Sequence, residues 1–445
     1  MKVDVSIGEA VDKYSILQIK NNKITDKKKL NDINNELDKL NECVEYINKE
    51  NFLYNILIYI NTEIWNMTNE IKSLDIKDNN YSIISKKIFD FNQKRFRVKN
   101  ILNLIFNSDI IEQKSYFNTY CYLIIDNDEL IYDKITEINY LLFEYDCLLV
   151  DEKYINIFKN IFKYNILPNI DNSNTDNSNI DNSNIEKIAL KNYNIDDTIR
   201  HIFTFKPITY SSSGKLGDFI QTLSVINEKF YNTGKKGVIY IKNNHTFSNG
   251  LINTRNDTYN IIKSQKYIHD YKIYQNEKID IDLDLWFLNK NLLYKYNWIK
   301  IFSYTYDVNW GYHKWFDVPY DKKWEDKVLI NIMHYRKSIN IDFNELYNTF
   351  SNSLVFISFN KTEYVEFVKE TKLNIENYIP NSFTEACIAI NSCKLLVASL
   401  SAILTIGHAC HKKRIVGLCG INDDVHNKNL NVCWNNVFYS VNSVC

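Results

Sequence analysis

The chain has 445 residues, a length that predicts two or three domains, and its net charge is −1. A near-neutral chain has no overall field toward nucleic acid or an anionic membrane, so we expect neither as a partner. No apolar run is long enough to span a bilayer, and residues 1–6 do not resemble a signal peptide. Nine cysteines without a Cys-x-x-Cys pair indicate reduced thiols and a cytoplasmic location. Asn, Lys, Ile and Tyr are abundant, a skew typical of AT-rich genomes such as those of some large DNA viruses.

Four amphipathic helical patterns fill the first hundred residues. Ser6-Ile-Gly-Glu9 fits a capping box, in which the serine side chain satisfies the amide of the glutamate. Apolar residues then recur at spacings of three and four over residues 7–24, 30–47, 53–71 and 84–101. Short polar breaks between long helices are typical of antiparallel neighbours in a bundle. The apolar stripes therefore predict a core or, as the alternative, a homo-oligomer interface.

The same front region resembles a small bacterial helical family that has no established activity. The resemblance spans residues 3–116 and rests on residues 5–20 and on Ile111-Glu-Gln-Lys-Ser-Tyr116. Four charged side chains of the motif are candidates either for function or for a solvated helix face: Glu9, Asp12, Lys13 and Lys20. A short strand at 122–125 and a helical pattern at 131–149 complete a predicted helical domain over residues 1–167.

A low-complexity segment follows this domain. Asp171-Asn-Ser-Asn174 recurs at Asp176 and Asp181, and this composition can neither bury surface nor favour one backbone state. Residues 168–186 are therefore predicted to be a disordered, flexible tether between domains.

The pattern then changes to strand, glycine loop, helix and strand, which is one βαβ unit. An apolar run at 201–210 precedes the loop, a helical pattern covers 220–230, and residues 237–241 read as a strand. The loop supplies the polar and flexible candidates for a binding site, which are Ser213, Gly214 and Gly217. Asp218 lies at the N-terminus of the predicted helix, where the helix dipole favours an ionised carboxylate that can act as a base. The alternative is that Asp218 only caps the helix.

Two further features of this half have competing interpretations. Residues 279–285 alternate strictly, so Asp280, Asp282 and Asp284 share one face of a predicted strand. An edge strand with one solvent-exposed face explains the three carboxylates, and a divalent metal site is the less favoured alternative. The aromatic-rich residues 298–316 suit stacking on a sugar or base, or else an interdomain core.

A second α/β set begins at residue 327. His334 and Arg336 follow a predicted strand at 328–333, and a guanidinium at that edge suits a diphosphate. Ser399 ends another predicted strand and Ser401 opens a helix, which together form an anion site. A zinc site at His408, Cys410 and His411 is disfavoured because these residues do not share a helix face. We therefore predict no metal.

Two motifs of this region resemble one enzyme family. Ser211-Ser-Ser-Gly-Lys-Leu-Gly-Asp-Phe-Ile-Gln-Thr-Leu223 resembles the N-terminal loop of the heptosyltransferase-like glycosyltransferases of family nine, and residues 382–417 resemble their donor motif. The resemblance, over residues 200–420, implies the GT-B architecture of two Rossmann-like domains. The expected multidomain fold is thus a helical bundle followed by an acceptor half at 187–322 and a donor half at 323–445.

The resemblance also implies a chemistry. It implies a metal-independent, inverting transfer of a sugar from a nucleotide-sugar to a glycan or other hydroxyl acceptor, without a cofactor. Asp218 matches the general base, and Arg336 falls where a basic residue meets the donor phosphates. The chain departs from the family at 399–402, because Ser-Leu-Ser-Ala replaces the usual Asp or Asn, Ser or Thr, and Gly. A non-catalytic glycan- or nucleotide-binding module with a helical oligomerisation domain is therefore the alternative.

Overall fold

The computed structural model describes residues 4–110, 119–162, 166–169, 185–242, 247–288, 292, 296, 298–333, 341–399 and 401–417. The chain divides into two compact units, Met1–Lys206 and Pro207–Cys445. Across these described ranges, no helix is both long and apolar enough to cross a bilayer.

The first unit begins with helices. They are α1 (Ile7–Lys23), α2 (Lys27–Lys39), α3 (Cys43–Lys49), α4 (Asn51–Ile71) and α5 (Asn79–Ile105). The predicted cap is present, because the Ser6 side chain accepts a hydrogen bond of 3.1 Å from the Glu9 amide. Apolar stripes of α1, α3, α4 and α5 meet in one buried core, so core packing explains them. The single helix predicted over 30–47 is two helices, because the backbone turns at residues 40–42.

The charged residues of the α1 motif bind neighbouring helices. Asp12 is fully buried and forms an ion pair with Arg95 of α5, while the Asn61 amide of α4 donates to it at 2.8 Å. Glu9 pairs with Lys99 at 2.6 Å. Lys13 makes an exposed pair with Glu36 at 3.1 Å. Their contacts therefore give Glu9 and Asp12 a structural role in holding the helices together.

A parallel sheet that the sequence analysis did not predict completes the first unit. Its elements are β1 (Tyr120–Ile124), α6 (Asp128–Asp133), α7 (Ile135–Glu144), β2 (Cys147–Val150), α8 (Ile155–Phe162), β3 (Ile166–Pro168), β4 (Ile185–Ala189) and α9 (Asp197–Phe203). The strand order is β3-β2-β1-β4, and every pair is parallel. The helical prediction for 1–167 therefore holds for residues 7–105, and an α/β layer follows.

The boundaries differ from prediction for two physical reasons. The apolar run after Tyr145 leaves the helical pattern and forms β2, which is buried along its length. β4 pairs with β1 over five residues, so residues 185 and 186 lie in a sheet rather than in a tether. Residues 185–206 consequently belong to the first unit instead of the half predicted to start at 187. Residues 170–184 lie outside the described part of the chain.

The second unit contains two parallel sheets. The first has β5 (Ile208–Ser212), α10 (Leu216–Thr233), β6 (Gly237–Ile241), α11 (Leu251–Lys263), β7 (Ile268–Ile273), β8 (Ile281–Asp282), α12 (Leu285–Leu288) and α13 (Trp298–Tyr306). Its strand order is β7-β6-β5-β8, so β8 is an edge strand as predicted. Only two residues of β8 pair, although the alternation had predicted a strand over 279–285.

The second sheet of this unit follows the same logic. Its elements are β9 (Val328–Asn331), α14 (Phe343–Phe350), β10 (Leu354–Ile357), α15 (Lys361–Thr371), β11 (Glu376–Tyr378), α16 (Phe383–Ser392), β12 (Leu395–Ser399), α17 (Ala402–Ala409) and β13 (Arg414–Gly417). The strand order is β11-β10-β9-β12-β13, all parallel. Short 3-10 turns occur at Glu152–Tyr154, Leu190–Asn192, Lys322–Trp324 and Ser351–Ser353. Two parallel sheets after a helical region fit a GT-B-like fold.

The aromatic-rich segment packs between these two sets of elements. Trp298, Trp310 and Trp315 are almost completely buried. The Trp310 and Trp315 indoles donate to main-chain oxygens of α10 at 3.1 and 2.9 Å, and the Trp310 ring stacks on His408 of α17. These contacts make the tryptophans part of the core of the second unit.

Candidate functional site

Asp218 lies in the first turn of α10, at the carboxyl edge of the sheet that contains β5. Lys215 occupies the N-cap position and makes no side-chain capping bond, so Asp218 is not the N-cap residue. Asp218 is half-buried. Its place in the first turn puts the carboxylate near the positive end of the helix dipole, which stabilises the charged form.

The loop before α10 packs directly on this carboxylate. Gly214 has a φ of +100°, a conformation that other L-residues rarely adopt. A Cβ at this glycine would lie 3.2 Å from the Asp218 Cβ and 3.7 Å from its Oδ2. The conformation of the loop therefore limits where the Asp218 side chain can lie.

Ser399 and Ser401 lie at the carboxyl edge of the other sheet. Ser399 ends β12, and its hydroxyl accepts from the Met333 amide at 2.9 Å. Ser401 is the N-cap of α17, accepting from the Leu404 amide at 3.3 Å and donating to Asn331 Oδ1 at 2.8 Å. The Ser401 hydrogen is thus used within the protein, and an anion here would meet the free amides of the first turn of α17.

The starts of α10 and α17 approach each other closely. A Cβ at Gly217 would lie 3.4 Å from Thr405 Oγ1 and 3.7 Å from the Ala402 nitrogen. Gln221 of α10 also donates to Thr405 Oγ1 at 3.4 Å. A Cβ at Gly217 would therefore lie at ordinary van der Waals distance from α17, so the two helix starts face each other across a gap of about one methyl group. Asp218 is the next residue of α10, so the residue that contacts the predicted anion-binding helix start directly precedes the predicted base.

Four of the predicted positions lie in one loop and helix start, which are Ser213, Gly214, Gly217 and Asp218, and Gly217 contacts Ala402, the residue after Ser401. Ser399 is the last residue of β12 and lies two residues before Ser401, so both serines are at the carboxyl end of that strand. His334 and Arg336 lie outside the described residues.

The three alternating aspartates are held by hydroxyl groups and a lysine. Asp280 accepts from Thr209, Asp282 from Ser211 and Asp284 from Ser213. Lys242 pairs with Asp282 at 2.8 Å and with Asp284 at 2.9 Å. Burial alone would raise the pKa of Asp282, but hydrogen bonds, chiefly from Lys242, lower it below its usual value. This pairing accounts for the carboxylates without a metal ion.

His408 and Cys410 are buried around α17, and His411 follows its end. His408 Nδ1 accepts from Arg414 at 2.8 Å, and burial holds the pKa of His408 well below its usual value. Burial likewise raises the pKa of the Cys410 thiol to about 12, which disfavours the thiolate that binds zinc. Within the described ranges, no group of three or more acidic, cysteine or histidine side chains is arranged to hold a metal.

Sequence reasoning missed two polar positions, one at the carboxyl edge of each sheet of the second unit. Asn331 ends β9 and is buried, with its amide donating to the Ile357 carbonyl at 2.9 Å and its oxygen accepting from Ser401. Lys242 directly follows β6 and pairs with Asp282 at the end of β8 and with Asp284 just beyond it. A polar residue at the end of a parallel strand, or directly after it, is a detectable signal in each case, since the ends of parallel strands meet at one edge of a sheet.

The chain matches no protein-family model, and no curated protein matches it. Solved structures that it resembles include the heptosyltransferase WaaC of E. coli with ADP-2-deoxy-2-fluoro heptose, at 10% sequence identity and a TM-score of 0.33, over 53% of this chain and 98% of WaaC. Another is a glycosyl transferase family 9 structure from Veillonella parvula, at 10% identity and a TM-score of 0.35, over 53% of this chain and 96% of the other. WaaC with ADP gives a TM-score of 0.29, at 10% identity and 53% and 96% coverage. Likenesses this distant do not place the chain in a family.

Proposed function

We propose that this chain is a glycosyltransferase that moves a sugar from a nucleotide-sugar donor to a hydroxyl group of a glycan or other acceptor. The observation that carries the proposal is the contact of Gly217, the residue before Asp218, with Ala402 in the first turn of α17. A base and an anion-binding helix start are the two groups that such a transfer needs in one place. The sequence motif at 211–223 supports the same assignment.

In the proposed reaction, Asp218 accepts the proton of an acceptor hydroxyl as that oxygen attacks the anomeric carbon. The bond between this carbon and the diphosphate oxygen breaks, and the leaving nucleoside diphosphate takes the bonding electrons. Amides at the start of α17 stabilise the charge that develops on the diphosphate. His334 and Arg336 are proposed to bind the same phosphates. Attack opposite the leaving group inverts the anomeric configuration, and no step requires a metal.

Asp218→Asn tests the assigned base. The amide keeps the size of the side chain but cannot take a proton, so turnover should fall by roughly 10²–10⁴-fold. Donor affinity, measured calorimetrically with the nucleotide-sugar that most stabilises the full chain in a thermal-shift screen, should change by less than about twofold. Asp257→Asn, an exposed change on α11, is the matched control and should retain full turnover. Unchanged turnover in Asp218→Asn would remove Asp218 from the mechanism.

The anomeric configuration of the product, read by NMR before it equilibrates, tests inversion separately. Retention of configuration would exclude the single displacement proposed here.

A non-catalytic binding module is the second candidate. It is favoured by the Ser401 hydroxyl, which is occupied by Asn331 and Leu404 and belongs to the loop that departs from the family pattern. This candidate predicts that nucleotide-sugars raise the melting temperature of the protein without being hydrolysed or transferred. Copies of the protein would then assemble through the helical region, which the mass in solution measures.

A further inference from the structure

The alternating aspartates near β8 form a ladder with hydroxyl residues of β5. Thr209 donates to Asp280 at 2.8 Å, Ser211 to Asp282 at 3.1 Å, and Ser213 to Asp284 at 2.5 Å. Every pair is separated by 71 residues, because β5 and β8 run parallel in a fixed register. A hydroxyl-to-carboxylate hydrogen bond therefore recurs at every second residue along these two segments.

The third pair differs from the other two because its serine lies in a loop and not in a strand. β5 ends at Ser212, so Ser213 belongs to the loop before α10 rather than to the strand. Asp284 uses both carboxylate oxygens here, with Oδ1 accepting from the Ser213 amide at 2.8 Å and Oδ2 from its hydroxyl. Lys242 Nζ lies 2.9 Å from the same Oδ2. Asp284 therefore fixes the backbone and the side chain of the first loop residue.

This loop residue is one bond away from the glycine that packs on the proposed base. Gly214 follows Ser213, and its Cα hydrogen faces the Asp218 side chain at a distance where a Cβ would be only 3.2 Å from the Asp218 Cβ. A shift of Ser213 would move Gly214 and change the space open to the Asp218 carboxylate. Misplacement of a reacting group by about 1 Å can cost on the order of 10²-fold in rate.

We propose that Asp284, held by Lys242, is a positioning residue that anchors the loop from Ser213 and thereby orients Asp218. This inference rests on the proposed glycosyl transfer. Asp284 itself touches no reacting atom in this scheme, since its oxygens bind Ser213 and Lys242. Lys242 pairs with both neighbouring carboxylates, at 2.8 Å to Asp282 and 2.9 Å to Asp284, and so adds a second contact that holds Asp284 in place.

The chain offers a closely matched control for Asp284. Asp280 accepts from both the amide and the hydroxyl of Thr209, at 2.9 and 2.8 Å, with its Oδ2 alone, near the other end of β5. Thr209 lies inside the strand and precedes the loop by several residues. Asp280→Asn thus makes the same chemical change to a carboxylate that binds Thr209 of β5, without touching the loop or Lys242.

The decisive experiment compares Asp284→Asn, Asp280→Asn, Asp218→Asn and the Asp218→Asn/Asp284→Asn double variant in the full chain. Asp284→Asn should lower kcat by about 10–100-fold, with the donor KM within about twofold, because only the orientation of the base changes. Asp280→Asn should leave kcat unchanged. The double variant should be no slower than Asp218→Asn alone, since a residue that acts through the base has no effect once the base is lost.

Amide hydrogen exchange supplies a readout that does not need turnover. Exchange of the peptide over residues 211–216 should accelerate by at least about tenfold in Asp284→Asn and stay unchanged in Asp280→Asn. Transfer that Asp284→Asn leaves at the normal rate, or a double variant slower than Asp218→Asn, overturns the inference alone. If the unsubstituted protein transfers no sugar, the proposed function fails and the inference fails with it. Unchanged exchange in Asp284→Asn defeats the anchoring whether or not the protein is an enzyme.

Discussion

His408 is a titratable residue in the core of the second unit. It is about 1% exposed, stacks on Trp310 and accepts from Arg414. Burial, with Arg414 and His411 nearby, holds its pKa well below the usual value. The unfolded chain therefore binds a proton at a pH where the folded chain does not, so this histidine opposes folding in acid. Its full contribution to stability is present above about pH 6.5 and is lost as the pH falls below that value.

The free energy of unfolding of the second unit should therefore fall between about pH 6.5 and pH 5.5, with a slope of up to about 1.4 kcal/mol per pH unit for one proton. Tryptophan fluorescence in urea measures it, because most tryptophans lie in this unit. His408→Gln removes the titration and should make the slope shallower. His201→Gln, an exposed change in the other compact unit, should leave it as it is. Equal slopes for His408→Gln and the unsubstituted protein would contradict this account.

At the same scale, the site was only partly predictable. Gly217 and Asp218 stand out in the sequence because a glycine before a helical pattern marks a close approach and an acidic residue in the first turn suits the dipole. The bond between Ser213 and Asp284 could not be found this way, since it joins residues 71 positions apart and depends on the register of β5 and β8. The alternation of aspartates alone is compatible with a solvent-exposed strand face, a metal site or a row of hydroxyl partners. Only the identity of the neighbouring strand distinguishes these three interpretations.

At the scale of elements, the approach of α1 to α5 depends on one glycine. A Cβ at Gly8 would overlap the Lys99 carbonyl oxygen and come within 2.9 Å of Asn103 Oδ1, which accepts from the Gly8 amide. Gly8→Ala would gain up to about 1 kcal/mol in helix propensity, but separating two packed helices costs about 1–3 kcal/mol. We therefore expect a net destabilisation, because the overlapping atom belongs to the backbone and cannot move alone.

Urea unfolding followed by circular dichroism measures this effect as a lower midpoint for the first unit in Gly8→Ala. Lys13→Ala, an exposed position on the same helix, is the control and should change stability by less than about 0.5 kcal/mol. A midpoint for Gly8→Ala equal to or above that of the unsubstituted protein would show that the two helices separate without cost.

Elements with strong local signals were predicted close to their bounds, and short strands were not. Gly237–Ile241 has the predicted limits and Leu395–Ser399 ends at the predicted residue, since turn-forming residues and a clear period mark each of them. Glu376–Tyr378 is a three-residue strand, and its polar residues carry no periodic signal. Ile185–Ala189 borders a repetitive segment, so local composition concealed a strand that is defined by its partner β1.

At the scale of the whole molecule, the same misleading composition led to a predicted domain boundary that differs from the one in the structure. A composition of Asn, Ser and Asp predicted that residues 168–186 connect two domains, yet strands on both sides of residues 170–184 lie in one sheet. α9 follows β4, and its Arg200 pairs with Glu137 of α7 at 2.7 Å. Phe203 is buried against Phe143, at 6.0 Å between ring centroids. The segment is thus a connection inside the first unit.

This topology predicts the outcome of cutting the chain there. A protease-recognition sequence inserted at residue 177 and cleaved should give two fragments that co-elute in size-exclusion chromatography and separate only in denaturant. They should stay together because the second fragment retains β4 and α9, which pair with β1 and pack on α7 of the first. Phe203→Ala should weaken the association of the two fragments in the cleaved protein, since loss of a buried phenylalanine costs about 3–5 kcal/mol. The same variant left uncleaved is the control, because its two parts stay covalently joined. Fragments that separate under native conditions would instead make the segment the interdomain tether that its composition suggests.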